Sequence, residues 1–267
     1  MDNRPVFFID SGIGGLPYCR DFLTRNPNEE IYYLADRENF PYGSRNKDEI
    51  ISILTALIKK ISKVINPKII VLACNTAAIS ALESLRQIFP QAPFVGTVPA
   101  IRPAAKASKS KKIGVLGTER TIEDPYNQNL AEADFEIFGI AAPELVEFVE
   151  QRFDKANEDE KRQTVKKYIE MCRAAGADTL VLGCTHFLYL AEEFRREASP
   201  QITVFDSIDG VTKRIEFLLD EDNGALRAAE NSLPANRLMI TGKMPPDSFW
   251  ENRAKEIGFN LGLLCEL

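Results

Sequence analysis

Two stretches decide the fold: IIVLACNTAAISALESLR over residues 69–86 and TLVLGCTHFLYLAEEFRR over residues 179–196. Laid over one another at the 110-residue offset from Cys74 to Cys184, they share Val71/Val181, Leu72/Leu182, Cys74/Cys184, Ala81/Ala191, Glu83/Glu193 and Arg86/Arg196. Each reads as an apolar strand, a cysteine followed by a small polar residue, and then a helix. A second echo sets FFIDSG (7–12) beside GVLGT (114–118), again a strand running into a small-residue turn. The offset is far longer than a solenoid repeat, so it predicts a duplicated α/β unit, two related halves closing over one cleft. Ligands of such open sheets bind beyond the carboxyl ends of the strands, and here each half places one thiol there.

Outward from these stretches, short apolar runs alternate with segments of helical period, the pattern of mostly parallel sheets flanked by helices. The expected strands are Val6–Ile9, Ile31–Ala35, Ile69–Ala73, Phe94–Val98, Ile113–Leu116, Phe135–Ile140, Thr179–Gly183 and Ile202–Phe205. The clearest helix follows Ser44: Asn46 and Glu49 are spaced as a cap, and Ile50, Ile51, Leu54, Leu57, Ile58, Ile61 and Val64 recur at i+3 and i+4. A second is expected from about Lys161 to Ala174, stopped at Gly176, with Cys172 on its core face.

Composition narrows the function. The chain has 267 residues, enough for one large domain or two small ones, and 33 Lys and Arg against 39 Asp and Glu leave a net charge of -6. That balance lacks the basic footprint of a nucleic-acid binder, so a small-molecule partner is expected and nucleic acid is not. No stretch approaches the ~18 apolar residues of a membrane span, so no membrane partner is expected. MDNRPVFFID lacks the basic region and long apolar run of a signal peptide, so a cytoplasmic protein is expected. Five cysteines, Cys19, Cys74, Cys172, Cys184 and Cys265, with no C-x-x-C pair, read as free thiols rather than a zinc ribbon or disulfide framework. The single histidine, His186, excludes histidine-rich metal sites, and no metal is expected.

An isolated cysteine in an apolar strand is ordinarily core. Cys74 and Cys184 differ in lying at strand ends, beside hydroxyl and amide side chains, each before an expected helix whose dipole favours a thiolate. Two thiols from related halves can oppose each other across one carbon, one taking a proton and the other delivering one to the opposite face. DSGIGG (10–15) is a turn whose N–H groups can hold an anion, with Asp10 either a helix cap or a carboxylate supporting a base. It is neither a P-loop nor a dinucleotide fingerprint, since no Gly-Lys-Ser/Thr follows and Pro17 stands in the place of the third glycine, so no nucleotide cofactor is expected. In NFPYGSR (39–45), otherwise a plain turn, Tyr42, Gly43 and Ser44 offer a backbone amide and hydroxyls to a second carboxylate. His186 is a candidate acid/base assistant beside Cys184. Of Glu144, Glu147 and Glu150, spaced along one helical face, at most one is expected to matter.

Together DSGIGGL, FPYGSR, ACNTA, GTERTI and GCTHF resemble the cofactor-independent glutamate racemases of the aspartate/glutamate racemase superfamily, and the tail TGKMPPDSFWENRAKEIGF (241–259) resembles that family's closing helix. The resemblance implies two similar, pseudo-twofold α/β lobes, residues 1–97 plus 208–267 and residues 98–207, with the active site in the cleft between them. It implies racemisation of free glutamate at Cα by Cys74 and Cys184 without a cofactor, Cys74 acting on D-glutamate and Cys184 on L-glutamate, to supply D-glutamate for peptidoglycan. It also implies substrate contacts from Asp10, Ser11, Pro41, Tyr42, Gly43, Ser44, Asn75, Thr76, Thr118, Thr121, Thr185 and His186. Asp10 would support Cys74, and His186 with Glu150 would support Cys184. A homodimer is the expected assembly. The absence of an N-terminal extension implies no activation by a cell-wall precursor.

The chain departs from the family pattern in three places. Ala142-Pro143 stands where Cys-Pro is usual, HFLYL with Leu188 stands where HFPLL is usual, and the serine expected after GT-x-x-T is replaced near Asp124, before Pro125 and Tyr126. An aspartate or hydantoin racemase of the same superfamily is the nearest alternative. A two-lobed binding module with no chemistry is the alternative from another class.

Overall fold

The computed structural model describes residues 1–124, 134–224, 226–243 and 245–263; Pro125, Tyr126 and Cys265 lie outside them. In chain order the elements are β1 (Val6–Asp10), α1 (Leu16–Arg25), β2 (Ile31–Ala35), α2 (Lys47–Val64), β3 (Ile69–Leu72), α3 (Asn75–Ile88) and β4 (Phe94–Gly96). Then come α4 (Ile101–Ala107), β5 (Lys112–Gly117), α5 (Glu119–Glu123), β6 (Glu136–Ala141), α6 (Pro143–Gln151), α7 (Glu158–Ala174), β7 (Thr179–Leu182), α8 (Ala191–Ala198) and β8 (Thr203–Phe205). The chain closes with α9 (Ile208–Gly224), β9 (Arg237–Ile240), α10 (Ser248–Ile257) and β10 (Asn260–Leu263). These elements pack as two units, residues 1–97 with 208–267 and residues 98–207.

The first unit holds a parallel sheet in the order β10-β9-β2-β1-β3-β4, the second a parallel sheet in the order β6-β5-β7-β8. The order β2-β1-β3-β4 is thus repeated as β6-β5-β7-β8, so the sequence echo is also a repeat of topology. β1, β3 and β7 are buried along their whole length, as strands covered by helices on both faces must be. Two strands beyond the expected eight, β9 and β10, extend the first sheet on the β2 side.

Helix α2 shows how local sequence sets an element. Asn46 Oδ1 accepts from the Glu49 N–H at 2.9 Å while Glu49 Oε2 accepts from the Asn46 N–H at 3.0 Å, the reciprocal cap its spacing predicts. Ile50, Leu54, Ile58 and Ile61 are buried in a core shared with Phe7, Ile9, Ile70 and Leu72 of the sheet. Each such burial contributes roughly 1.5–3 kcal/mol. Tyr42 and Cys74 belong to the same cluster, which seats them on the packed scaffold. α7 starts at Glu158, earlier than its apolar stripe suggests, because Asn157 and Glu160 form a second reciprocal cap. Cys172 is fully buried on α7, and its sulfur would lie 2.9 Å from a Cβ at Gly114 of β5, so it is a packing residue. No helix among the described residues is long and apolar enough to cross a membrane.

Candidate active site

The two thiols occupy equivalent backbone positions. Past β3 the Ala73 N–H donates to the Ile9 carbonyl at 2.7 Å, and past β7 the Gly183 N–H donates to the Leu116 carbonyl at 2.7 Å. These bonds carry each sheet ladder one residue beyond its strand. The next residue in each case is the cysteine, extended, with φ −136° and ψ 120° at Cys74 and φ −134° and ψ 137° at Cys184. Each thiol is 7% exposed. Gly183 is required here, since a Cβ would lie 2.9 Å from the Leu116 carbonyl oxygen.

Beyond the thiols the two segments diverge. Cys74 is the N-cap residue of α3, which starts at Asn75 and runs for 14 residues, so the positive end of a regular helix begins right after it. The expected helix after Cys184 is instead a six-residue 3-10 segment, Thr185–Leu190, with α8 starting only at Ala191. The expected helix start at Asp10 is likewise displaced, because α1 is capped by Gly15 and begins at Leu16 with Pro17 in its first turn.

Around Cys184 the structure assembles a relay. His186 Nδ1 lies 3.8 Å from Cys184 Sγ, and His186 Nε2 lies 2.6 Å from Glu150 Oε1, Glu150 being on α6. Burial pulls the imidazole pKa down, but hydrogen bonds to Cys184 and Glu150 and the Glu150 charge outweigh it, and the pKa rises well above 6.5. The ring is held between a carboxylate and the Cys184 sulfur, an arrangement that favours its protonated form. Of the other two glutamates on that helix, Glu144 pairs with Lys167 and Glu147 faces solvent.

Around Cys74 the groups are different. Asp10, at the end of β1, is fully buried, and its Oδ1 accepts from the Gly12 N–H at 3.2 Å and the Ser11 hydroxyl at 3.3 Å, so it shapes its own turn rather than capping α1. Tyr42 is buried in the segment Tyr42–Ser44, and its hydroxyl donates to Asp36 Oδ2 at 2.6 Å. Burial first, then Asp36, with smaller contributions from Cys74 and Asp10, raises the phenol pKa, so the ring hydroxyl stays a donor. The Ser44 hydroxyl donates to the Pro41 carbonyl at 3.2 Å; Pro41 and Ser44 are exposed and Gly43 half-buried. Neither hydroxyl is therefore a spare donor, and backbone amides are what this turn has to offer an anion. Asn75 is 2% exposed and both atoms of its side-chain amide lack a hydrogen-bond partner, while Thr76 is buried beside it. A buried amide costs free energy until it is paired, so this side chain has a donor and an acceptor to offer.

In the second unit Thr118 caps α5, accepting from the Thr121 N–H at 3.3 Å and donating to the Thr121 hydroxyl at 3.0 Å. Ala142 is buried just before α6, Leu188 is buried in the 3-10 segment, and Asp124 pairs with Arg120 at 3.6 Å. Sequence reasoning missed three residues that hold these turns. The Tyr33 hydroxyl donates to the Gly12 carbonyl at 2.8 Å and accepts from the Gly15 N–H at 3.1 Å. Asp36 receives Tyr42, and Thr241 bonds to Asp36. Asp36 follows an apolar strand just as Asp10 does, a signal that was there to read; Thr241 gives none.

Among the described residues no group of three or more His, Cys, Asp or Glu side chains is arranged to hold a metal ion. Two buried thiols at the ends of equivalent strands, each with its own acid/base neighbours, are groups suited to proton transfer. The chain belongs to the Asp/Glu/hydantoin racemase family, whose model matches residues 22–214. It is therefore an isomerase, and its named relatives are more particular. A glutamate racemase of Treponema pallidum is 40% identical over 220 residues, covering 80% of this chain and 81% of the relative. The crystal structure of a glutamate racemase from Bacillus anthracis superposes with a TM-score of 0.83 at 27% identity, over 98% of this chain and 97% of the other. That of Escherichia coli glutamate racemase, solved with L-glutamate and the activator UDP-MurNAc-Ala, gives 0.81 at 28% identity over 97% of each.

Proposed function

We propose that this chain interconverts L-glutamate and D-glutamate without a cofactor, Cys74 and Cys184 acting on opposite faces of one Cα. The observation that carries the reading is the repeated topology, which brings one buried cysteine with near-identical backbone angles to the end of an equivalent strand in each unit. The names of the relatives favour glutamate as the substrate.

In the forward step a thiolate takes the Cα proton, the C–H electron pair passes toward the α-carboxylate, and the other thiol gives its proton to the opposite face. The atoms balance: one sulfur gains a proton, the other loses one, and the configuration at Cα inverts. A Cα proton is weakly acidic, so the site must stabilise the developing negative charge by fixed donors. The turn amides after Asp10 and at Tyr42–Gly43, the Asn75 amide with Thr76, and Thr185 are the groups assigned to that task. On the Cys184 side the His186 imidazolium, anchored by Glu150, stabilises charge on sulfur or returns a proton to it. On the Cys74 side Asp10 and the helix start at Asn75 take those roles. We assign Cys74 to D-glutamate and Cys184 to L-glutamate, in a cytoplasmic homodimer that supplies D-glutamate to peptidoglycan; a solution mass near twice 29.9 kDa is the expected reading for the assembly.

Circular dichroism of L-glutamate incubated with the purified protein, no cofactor added, tests the function. The signal should decay to zero, with aspartate and a hydantoin unchanged over the same time. A signal that persists despite saturable glutamate binding would make the chain a binding module, and faster decay with aspartate or the hydantoin would reassign its substrate.

A further inference from the structure

We infer that Thr241 is a positioning residue of the substrate turn, acting through Asp36 on Tyr42 and Gly43, an inference that rests on the proposed racemase reading. β9 pairs with β2 so that Ile240 lies beside Ala35, and the next residue of each chain segment is Thr241 and Asp36. Ladder bonding continues one step further, the Thr241 N–H donating to the Ala35 carbonyl at 3.1 Å. The Thr241 hydroxyl then does two things at once. It donates to Asp36 Oδ1 at 2.7 Å and accepts from the Glu38 N–H at 3.0 Å, so one oxygen ties both the carboxylate and the backbone of the turn that follows β2.

Asp36 is fully buried, and its second oxygen is the anchor of the substrate turn, receiving the Tyr42 hydroxyl at 2.6 Å and the Asn39 amide at 2.9 Å. Donors thus reach both oxygens of this carboxylate, since the Asn39 amide also lies 3.0 Å from Oδ1, and they fix its orientation. Removing the Thr241 donor leaves Oδ1 with only the Asn39 amide, so the carboxylate is held less firmly and the Tyr42 anchor shifts with it. The chain following Thr241 is shaped for the same contact. Gly242 has φ +102°, and a Cβ there would lie 3.3 Å from the Arg37 guanidinium, so the turn passes close over the residue next to Asp36. Tyr42 and Gly43 supply substrate-facing backbone in the proposed mechanism, so a displaced anchor weakens binding before it touches the thiols.

Thr241→Val keeps the shape and removes the hydroxyl; Thr241→Ser keeps the hydroxyl. In the full-length protein, Thr241→Val should raise KM for both enantiomers about tenfold with kcat within about threefold, the loss expected of one charge-assisted hydrogen bond, and Thr241→Ser should restore KM. Combined with Asp36→Asn, Thr241→Val should add little, since both act on one anchor. An active wild-type enzyme with unchanged KM in Thr241→Val, a fall in Tm with no change in KM, or equal impairment of Thr241→Ser would each overturn the inference and leave the racemase reading standing. A wild-type protein that does not racemise glutamate overturns both.

Discussion

Cys74 and Cys184 end equivalent strands with backbone angles that differ by less than 20°, and each is almost wholly buried, yet the chemistry beside them is different. Beside Cys184 stands an imidazole backed by a carboxylate. Beside Cys74 are a carboxylate that shapes its own turn, a phenol tied to Asp36 and the start of a 14-residue helix. The repeated topology shares the strand-end backbone and differs in the side chains beside it. A chiral amino acid shows different substituents to its two sides, and in the proposed mechanism the two bases meet them with different neighbours. In the proposed racemisation a common scaffold thus serves two bases that have different assistants.

The comparison breaks outright if the two thiols are not equally necessary. Cys74→Ala and Cys184→Ala should each lower turnover by about a thousandfold or more, the upper part of the range for a general acid or base, with circular dichroism showing the fold retained. Near-normal turnover in either variant would leave one sulfur without a role.

A smaller effect separates the residues that come after the two cysteines. Thr185 is already engaged within the structure, whereas the amide of Asn75 is buried and unpaired. Asn75→Ala should therefore raise KM about tenfold without lowering Tm, because the folded protein loses no hydrogen bond. A clear loss of Tm with unchanged KM would make Asn75 a core residue.

The smallest effect is the titration of His186, visible alone because it is the only histidine. Its pKa is raised, so the NMR midpoint in the untagged protein should lie above 6.5, and Glu150→Gln should lower it. Since the folded value exceeds the unfolded one, the stability this group contributes is complete below pH 6.5 and is lost as pH rises through the folded midpoint. A midpoint at or below 6.5 would remove the imidazolium from the Cys184 side.

The sequence revealed the repeated part of the fold because periodicity and the 110-residue echo are local signals. β9 and β10 escaped because RLMI and NLGL are four residues each, one opening on an arginine and the other broken by Gly262. The helix expected after Cys184 failed for a reason visible in the letters. α3 opens on NTAAISAL, rich in alanine, whereas THFLYL must bury Phe187, Leu188 and Leu190 in quick succession, and a 3-10 segment takes its place. In the site, the cysteines, Asp10 and His186 stand in legible motifs. Asp36 was readable as a second carboxylate at a strand end, but its partner Thr241 lies 205 residues away, joined only through the pairing of β9 with β2.

The claim that two separate sulfurs serve the two faces of Cα is tested most directly by isotope uptake. Each enantiomer is racemised in deuterated water, quenched at low conversion and analysed by mass spectrometry after the enantiomers are resolved. The account predicts one deuterium at Cα of the product and almost none in the recovered substrate, from either direction. Substrate that gains deuterium as fast as product forms, or product that keeps its original hydrogen, would show a single base working both faces and contradict it.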